Sequence, residues 1–165
     1  MKKMILTLLV ALPLSVFAQK FGHFDSADII QSMPEYTTAQ TELEAQSKIY
    51  EQELDRMQKE LSQKINAYEK EGATMSDAQK QSREQELQEL SQKQRDYYSQ
   101  SQAAISQLSN KKMEDIRQKV LKAVEEVGKA GGYVYIMDTT AGIPYISTTL
   151  STDVSAQIKA KLGIK

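Results

Sequence analysis

A catalytic or metal centre in this chain would have to be built around its single histidine, His23, with the carboxylates Asp25 and Asp28 beside it and Asp138 far along the sequence. There is no Cys, which excludes a thiol nucleophile, a thiolate zinc site and any disulfide. One imidazole is too few for a His-rich metal site. No nucleophile elbow or glycine-rich phosphate loop is present to accompany a triad. Asp25 and Asp28 sit three apart on one turn and Asp138 follows a hydrophobic strand, so capping and turn roles account for them. His23 is read as structural. The sequence predicts no catalytic residue, no cofactor, no metal and no enzyme. With 21 Lys+Arg against 22 Asp+Glu, it offers no global attraction to nucleic acid.

The elements around these residues are legible from composition and spacing. Met1-Lys2-Lys3, the apolar run Met4 to Phe17 and Ala18 read as a signal peptide cleaved before Gln19. The run is shorter than the ~20 residues a membrane span requires. An uncleaved anchor is the alternative. No later stretch is apolar enough to insert stably.

Residues 35–127 contain no Pro and one Gly, Gly72, and are rich in Gln, Glu, Lys, Ala and Leu. Leu43, Tyr50 and Met57 form one heptad row, and Leu54, Leu61 and Tyr68 another. The stretch Glu71–Ser76 breaks the pattern, and Ser76 with Gln79 forms a capping box. Leu87, Leu90, Tyr97, Ala104 and Leu108 continue a second leg. The stripe then slips by one residue to Met113, Ile116, Val120, Ala123 and Val127, with Gly128 expected to end the helix. This predicts an antiparallel hairpin arm with its tip near 71–76 and its last turns facing a body. One uninterrupted helix of about 140 Å is the alternative.

The ends, 19–34 and 128–165, make the body. Lys20–Asp25 reads as a strand and Ala27–Met33 as a short helix. Tyr133–Met137 is a strand apolar on both faces, Ile143–Ser147 a further strand, and Val154, Ile158 and Leu162 mark a last helix. These 54 residues are marginal as a core without disulfides or metals. Several chains are therefore expected to pool their ends, with Phe21, Phe24, Ile29, Val134, Ile136, Ile143, Tyr145 and Ile146 as the oligomerisation core. The fold class is α+β, mostly α: a long coiled-coil hairpin projecting from a small β body shared between subunits.

The opening strand and short helix, the charged hairpin, Gly132-Tyr133-Val134-Tyr135-Ile136-Met137-Asp138, Ile143-Pro144-Tyr145 and Asp153-Val154-Ser155-Ala156-Gln157-Ile158 occur in the order found in the Skp/OmpH family. On these residues the chain resembles those periplasmic chaperones over its whole length after residue 18. The resemblance implies a homotrimer whose three arms enclose a cavity. It implies ATP-independent holding of unfolded outer-membrane β-barrel proteins in transit through the periplasm. Better-known members have strongly basic arms. Residues 35–127 here carry 14 Lys+Arg and 18 Asp+Glu, a net of −4, so no lipopolysaccharide- or lipid-binding site is carried over.

A holdase needs many adaptable contacts, for which Tyr and Met are suited. The candidates for client contact are Tyr50, Met57, Tyr68, Met75, Tyr97 and Tyr98, of which Tyr50, Met57 and Tyr68 also fit plain seam packing. Adjacent Tyr97 and Tyr98 cannot share one helix face, so Tyr98 is expected to leave the seam. The alternative function is a structural coiled-coil spacer or adaptor of a cell-envelope assembly; Gln94 and Ser101 on the seam lean away from such a register-fixing device.

Overall fold

The computed structural model describes residues 19–164. The expected leader, residues 1–18, lies outside them. The elements run β1 (Lys20–Phe24), α1 (Ser26–Ser32), α2 (Pro34–Glu71), α3 (Asp77–Gly131), β2 (Tyr133–Asp138), β3 (Ser151–Asp153) and α4 (Ser155–Lys161). Asp25 caps α1, its side chain accepting from the Asp28 N–H at 2.9 Å. Pro34 then occupies the first turn of α2, where its missing N–H costs nothing.

Helices α2 and α3 form the hairpin. A short 3₁₀ turn, Gly72–Thr74, reverses the chain. The reciprocal cap of Ser76 and Gln79 starts α3: the Ser76 N–H donates to Gln79 Oε1 at 2.8 Å, and Ser76 Oγ accepts from the Gln79 N–H. At 38 residues, α2 is about 57 Å long. Side chains tie the legs together at successive heights. Lys119 Nζ pairs with Glu35 (2.9 Å) and Lys112 with Glu42 (2.5 Å). Gln94 donates to Gln58 (2.8 Å), Lys64 pairs with Glu86, and the Tyr68 hydroxyl donates to Glu84.

The body is a three-stranded sheet ordered β2-β1-β3, with both pairings parallel. Paired residues of a parallel sheet share a face. Phe21 and His23 therefore lie with their partners Tyr135 and Met137, while Gly22 lies with Ile136 on the other side. On that second side the chain builds its own core. Phe24, Ile29 and Met33 pack with Ile116, Val120 and Val127 of α3 and with Val154 and Ile158 at the C-terminus, all buried. Gly22 makes room for this packing, because a Cβ there would meet Ile136 Cγ1 at 3.1 Å and the Tyr133 ring at 3.3 Å.

Two expectations are corrected. Helix α3 does not end at Gly128 but runs to Gly131, capped by Gly132 in the left-handed region (φ 67°). An interior glycine costs a helix only about 1 kcal/mol, and the residues around Gly128, Glu125, Glu126, Lys129 and Ala130, favour helix. Nor is Ile143–Ser147 a strand; the third strand is Ser151–Asp153. β1 has one edge left after pairing with β2. Ser151–Asp153 takes it, through the His23 Nδ1 to Ser151 Oγ contact (2.8 Å) and the Val154 N–H donated to the His23 carbonyl (2.9 Å). Pro144, with no N–H to offer, stays in the irregular loop between.

Candidate functional site

Two surfaces remain once the core is closed. The first is the outer face of the sheet. Phe21 and Tyr135 stack with ring centroids 5.1 Å apart. With His23, Met137, Tyr145, Ile146 and Leu150 they line a shallow cavity of about 200 Å³. In the single chain Tyr135 is 54%, Met137 46%, Leu150 73% and Tyr145 79% exposed. A contiguous apolar patch of this kind marks an interaction site. His23 is the basic group on this face, and Asp153 lies opposite it in register. The carboxyl of Asp153 is held below its usual range, first by hydrogen bonds from Ser155 and further by His23.

The residues expected to be pooled divide between the two sides. Phe24 and Ile29 are enclosed by their own chain, and Ile136 packs against that core. Phe21, Ile143 and Ile146 are half-buried, and Val134 and Tyr145 are open. Tyr135, Met137 and Leu150 belong to the open face but were not singled out from sequence. The signal for the first two was the two-residue period of β2, once one side is known to meet α3.

The second surface is the arm. Met57 is buried in the hairpin seam, and Tyr50 meets Tyr97 edge-on at 6.0 Å. Tyr68 is half-buried and bonded to Glu84, and its hydroxyl pKa is raised by that bond. Met75 is half-buried at the tip, against a cavity of about 240 Å³ that also touches Ala67 and Leu87. Tyr98 points outward, 55% exposed. Of the six arm candidates, Tyr98 is thus the one whose ring is largely free of the seam.

The carboxylates considered for chemistry have structural partners. Asp25 caps α1, and Asp28 pairs with Lys159 at 2.8 Å, holding α4 to α1. Asp138 Oδ1 accepts from the backbone N–H groups of Ser26 (3.2 Å) and Thr140 (3.0 Å), joining β2 to α1. Burial disfavours the charged form of Asp138, but the hydrogen bonds from Ser26 and Thr140 outweigh it and leave the pKa lowered. A lowered folded pKa contributes stability above the unfolded value, and that stability is lost as pH falls through the folded value. Asp138→Ala is therefore expected to lower stability by about 1 kcal/mol at pH 7, with the gap to the parent closing below about pH 4. Thermal unfolding of both proteins across pH checks this; a gap that stays constant into strong acid would show that the charge is not what matters. Among the described residues no group of three or more acidic or imidazole side chains is placed to hold a metal ion. None of their helices is long and apolar enough to cross a membrane.

Comparison with known proteins agrees with this architecture. Residues 20–162 match the family model described as outer membrane protein (OmpH-like). The chain is 30% identical over 160 residues to the chaperone protein Skp of Yersinia enterocolitica, covering 93% of this chain and 94% of that one. Its fold superposes with a TM-score of 0.75 on the crystal structure of an OmpH-like outer-membrane chaperone from Caulobacter crescentus. That match covers 87% of this chain and 83% of the other at 14% identity. The chain belongs to the OmpH/Skp-like family of outer-membrane chaperones.

Proposed function

We propose that the chain is an ATP-independent periplasmic holdase. Three copies join through the open faces of their sheets, and their hairpin arms surround an unfolded outer-membrane β-barrel protein. The observation that carries this reading is the uncovered face of Phe21, Tyr135, Met137, Tyr145 and Leu150 at the root of a helical arm about 57 Å long. A body with that face bare is incomplete as a soluble unit, and further copies of the chain can cover it, different parts of the apolar patch meeting head to tail around a three-fold axis. Arms on a closed body lie around a common space. Weak contacts from several arms then act on one client at high effective concentration. The supporting relative is the Yersinia protein, whose name is that of a chaperone.

Native mass spectrometry of residues 19–165 tests this, with and without a urea-unfolded outer-membrane barrel protein. The expected species are a trimer alone and a trimer carrying one unfolded chain, with no binding to the same barrel once folded. A trimer that ignores unfolded chains but holds one folded partner at fixed stoichiometry would move the function to an envelope spacer. A monomer at micromolar concentration would remove the shared body.

A further inference from the structure

Halfway up the arm the two legs differ in charge. Tyr97 to Asn110 of α3 is fourteen residues, about 20 Å of helix, without a single charged side chain; no other run within residues 35–127 is as long. The α2 segment alongside it, Glu42 to Asp55, carries five carboxylates and one cation, Lys48. The two segments are aligned by contacts at either end: Lys112 with Glu42, and Gln94 with Gln58.

The neutral run leaves most of its exposed polar side chains available. Elsewhere on α3 Gln85 donates to Glu89, Gln92 to Asp96 and Gln118 to Glu114, while exposed Gln81 and Gln88 have no side-chain partner among the described residues. Within the run, Ser101 is buried and bonded to the Tyr97 carbonyl. Among the described residues, exposed Ser99, Gln100, Gln102, Ser106 and Gln107 have no side-chain partner in the chain, and the helical spacing puts Ser99, Gln102 and Ser106 on the same side as the outward Tyr98.

We infer that this neutral band of α3 is the surface that receives the unfolded client, as an extended polypeptide segment without acidic excess. The inference rests on the holdase reading and says where on the arm contact is made. An extended segment presents unpaired amide and carbonyl groups together with apolar side chains. Free amides and hydroxyls on the band can pair with the first, and Tyr98 covers the second, a division of labour also used by Tyr- and Ser-rich binding surfaces. Because the band has no charge, a client segment can lie on it without desolvating an ion. Of the α2 carboxylates beside it, Glu42, Glu53 and Asp55 are paired with Lys112, Arg56 and Lys59, and Glu44 and Glu51 are left to disfavour acidic segments, which selects the occupant by charge complementarity.

The test uses two variants of equal charge change. Ser99→Glu/Ser106→Glu places two carboxylates on the band. Ala45→Glu/Gln52→Glu places two on exposed positions of the acidic leg. The probe is a urea-unfolded, fluorescently labelled outer-membrane barrel protein diluted into residues 19–165. The band variant is expected to bind about tenfold more weakly, and the α2 variant within about twofold of the parent. A photo-cross-linking residue at position 102 should capture the unfolded chain, and one at position 52 should not. This readout holds even if the double variant folds poorly. Equal weakening by both pairs would reduce the effect to net charge and overturn the inference. So would a parent that binds while the band variant binds equally, which leaves the holdase reading intact. A parent that does not bind unfolded chains would remove that reading and the band with it.

Discussion

Met137→Asp is expected to leave each chain folded and to take the assembly apart. Met137 lies on the open face of the sheet, beside His23 in the β1–β2 register, and nearly half of it is exposed in the single chain. At such a site a substitution costs the isolated fold within about 0.5 kcal/mol, because no core contact is lost. If the same face is covered by other copies, each added carboxylate must lose its water with only the His23 imidazole beside it. A penalty of several kcal/mol per buried charge is then multiplied by the number of subunits. Sedimentation at micromolar concentration should report monomers while circular dichroism reports an unchanged helix content. An unchanged oligomer mass would show that the face is not the joint. A loss of helix signal would show instead that the face stabilises the chain by itself.

Cutting the arm at its root is expected to have the opposite outcome: assembly retained, client protection lost. Glu42 and Lys112 pair across the hairpin at 2.5 Å, so a short Gly-Ser turn can replace residues 43–111 with little strain. The contiguous core of the body involves none of the removed positions. Its members are Phe24, Ile29, Met33 and Ala39 on one side of the cut and Ile116, Val120, Ala123, Val127, Val154 and Ile158 on the other. The truncated chain thus keeps the apolar burial that holds the sheet to α3 and α4. What it loses is the seam of Tyr50, Met57 and Tyr97 together with the neutral run of α3. Light scattering of a diluted unfolded barrel protein should show protection falling to that of buffer, with the oligomer mass lowered only by the deleted residues. Protection that survives the cut would place the client site on the body.

Much of this molecule was legible one residue after another, because helices are specified locally. The heptad rows through Tyr50, Met57 and Leu54, the break at Gly72 and the reciprocal cap of Ser76 and Gln79 each act within a few residues of themselves. Placing Tyr97 on the seam and Tyr98 off it needed only the 100° turn between neighbours. The stripe from Ile116 to Val127 announced a helix end buried against a body, and all four of its residues from Ile116 onward are buried.

The sheet was decided by tertiary structure. Ser151-Thr152-Asp153 has no apolar alternation to mark it as a strand. It becomes one because β1 has a free edge and Val154 and Ile158 must be buried beside it. Ile143–Ser147 looks more like a strand and is not, since Pro144 cannot complete a ladder and the edge is already occupied. Gly128 stays helical because one interior glycine costs only about 1 kcal/mol, and the left-handed Gly132 supplies the stop instead. Sequence alone marked the break and cap that favour a hairpin over one long helix, and the structure shows the reversal at Gly72–Thr74. Only the tertiary structure decided which side of the sheet α3 covers. That choice places Phe24, Ile29 and Ile136 inside the chain and leaves Phe21, Tyr135 and Met137 facing out, because a two-residue period marks two faces without saying which one meets the helix.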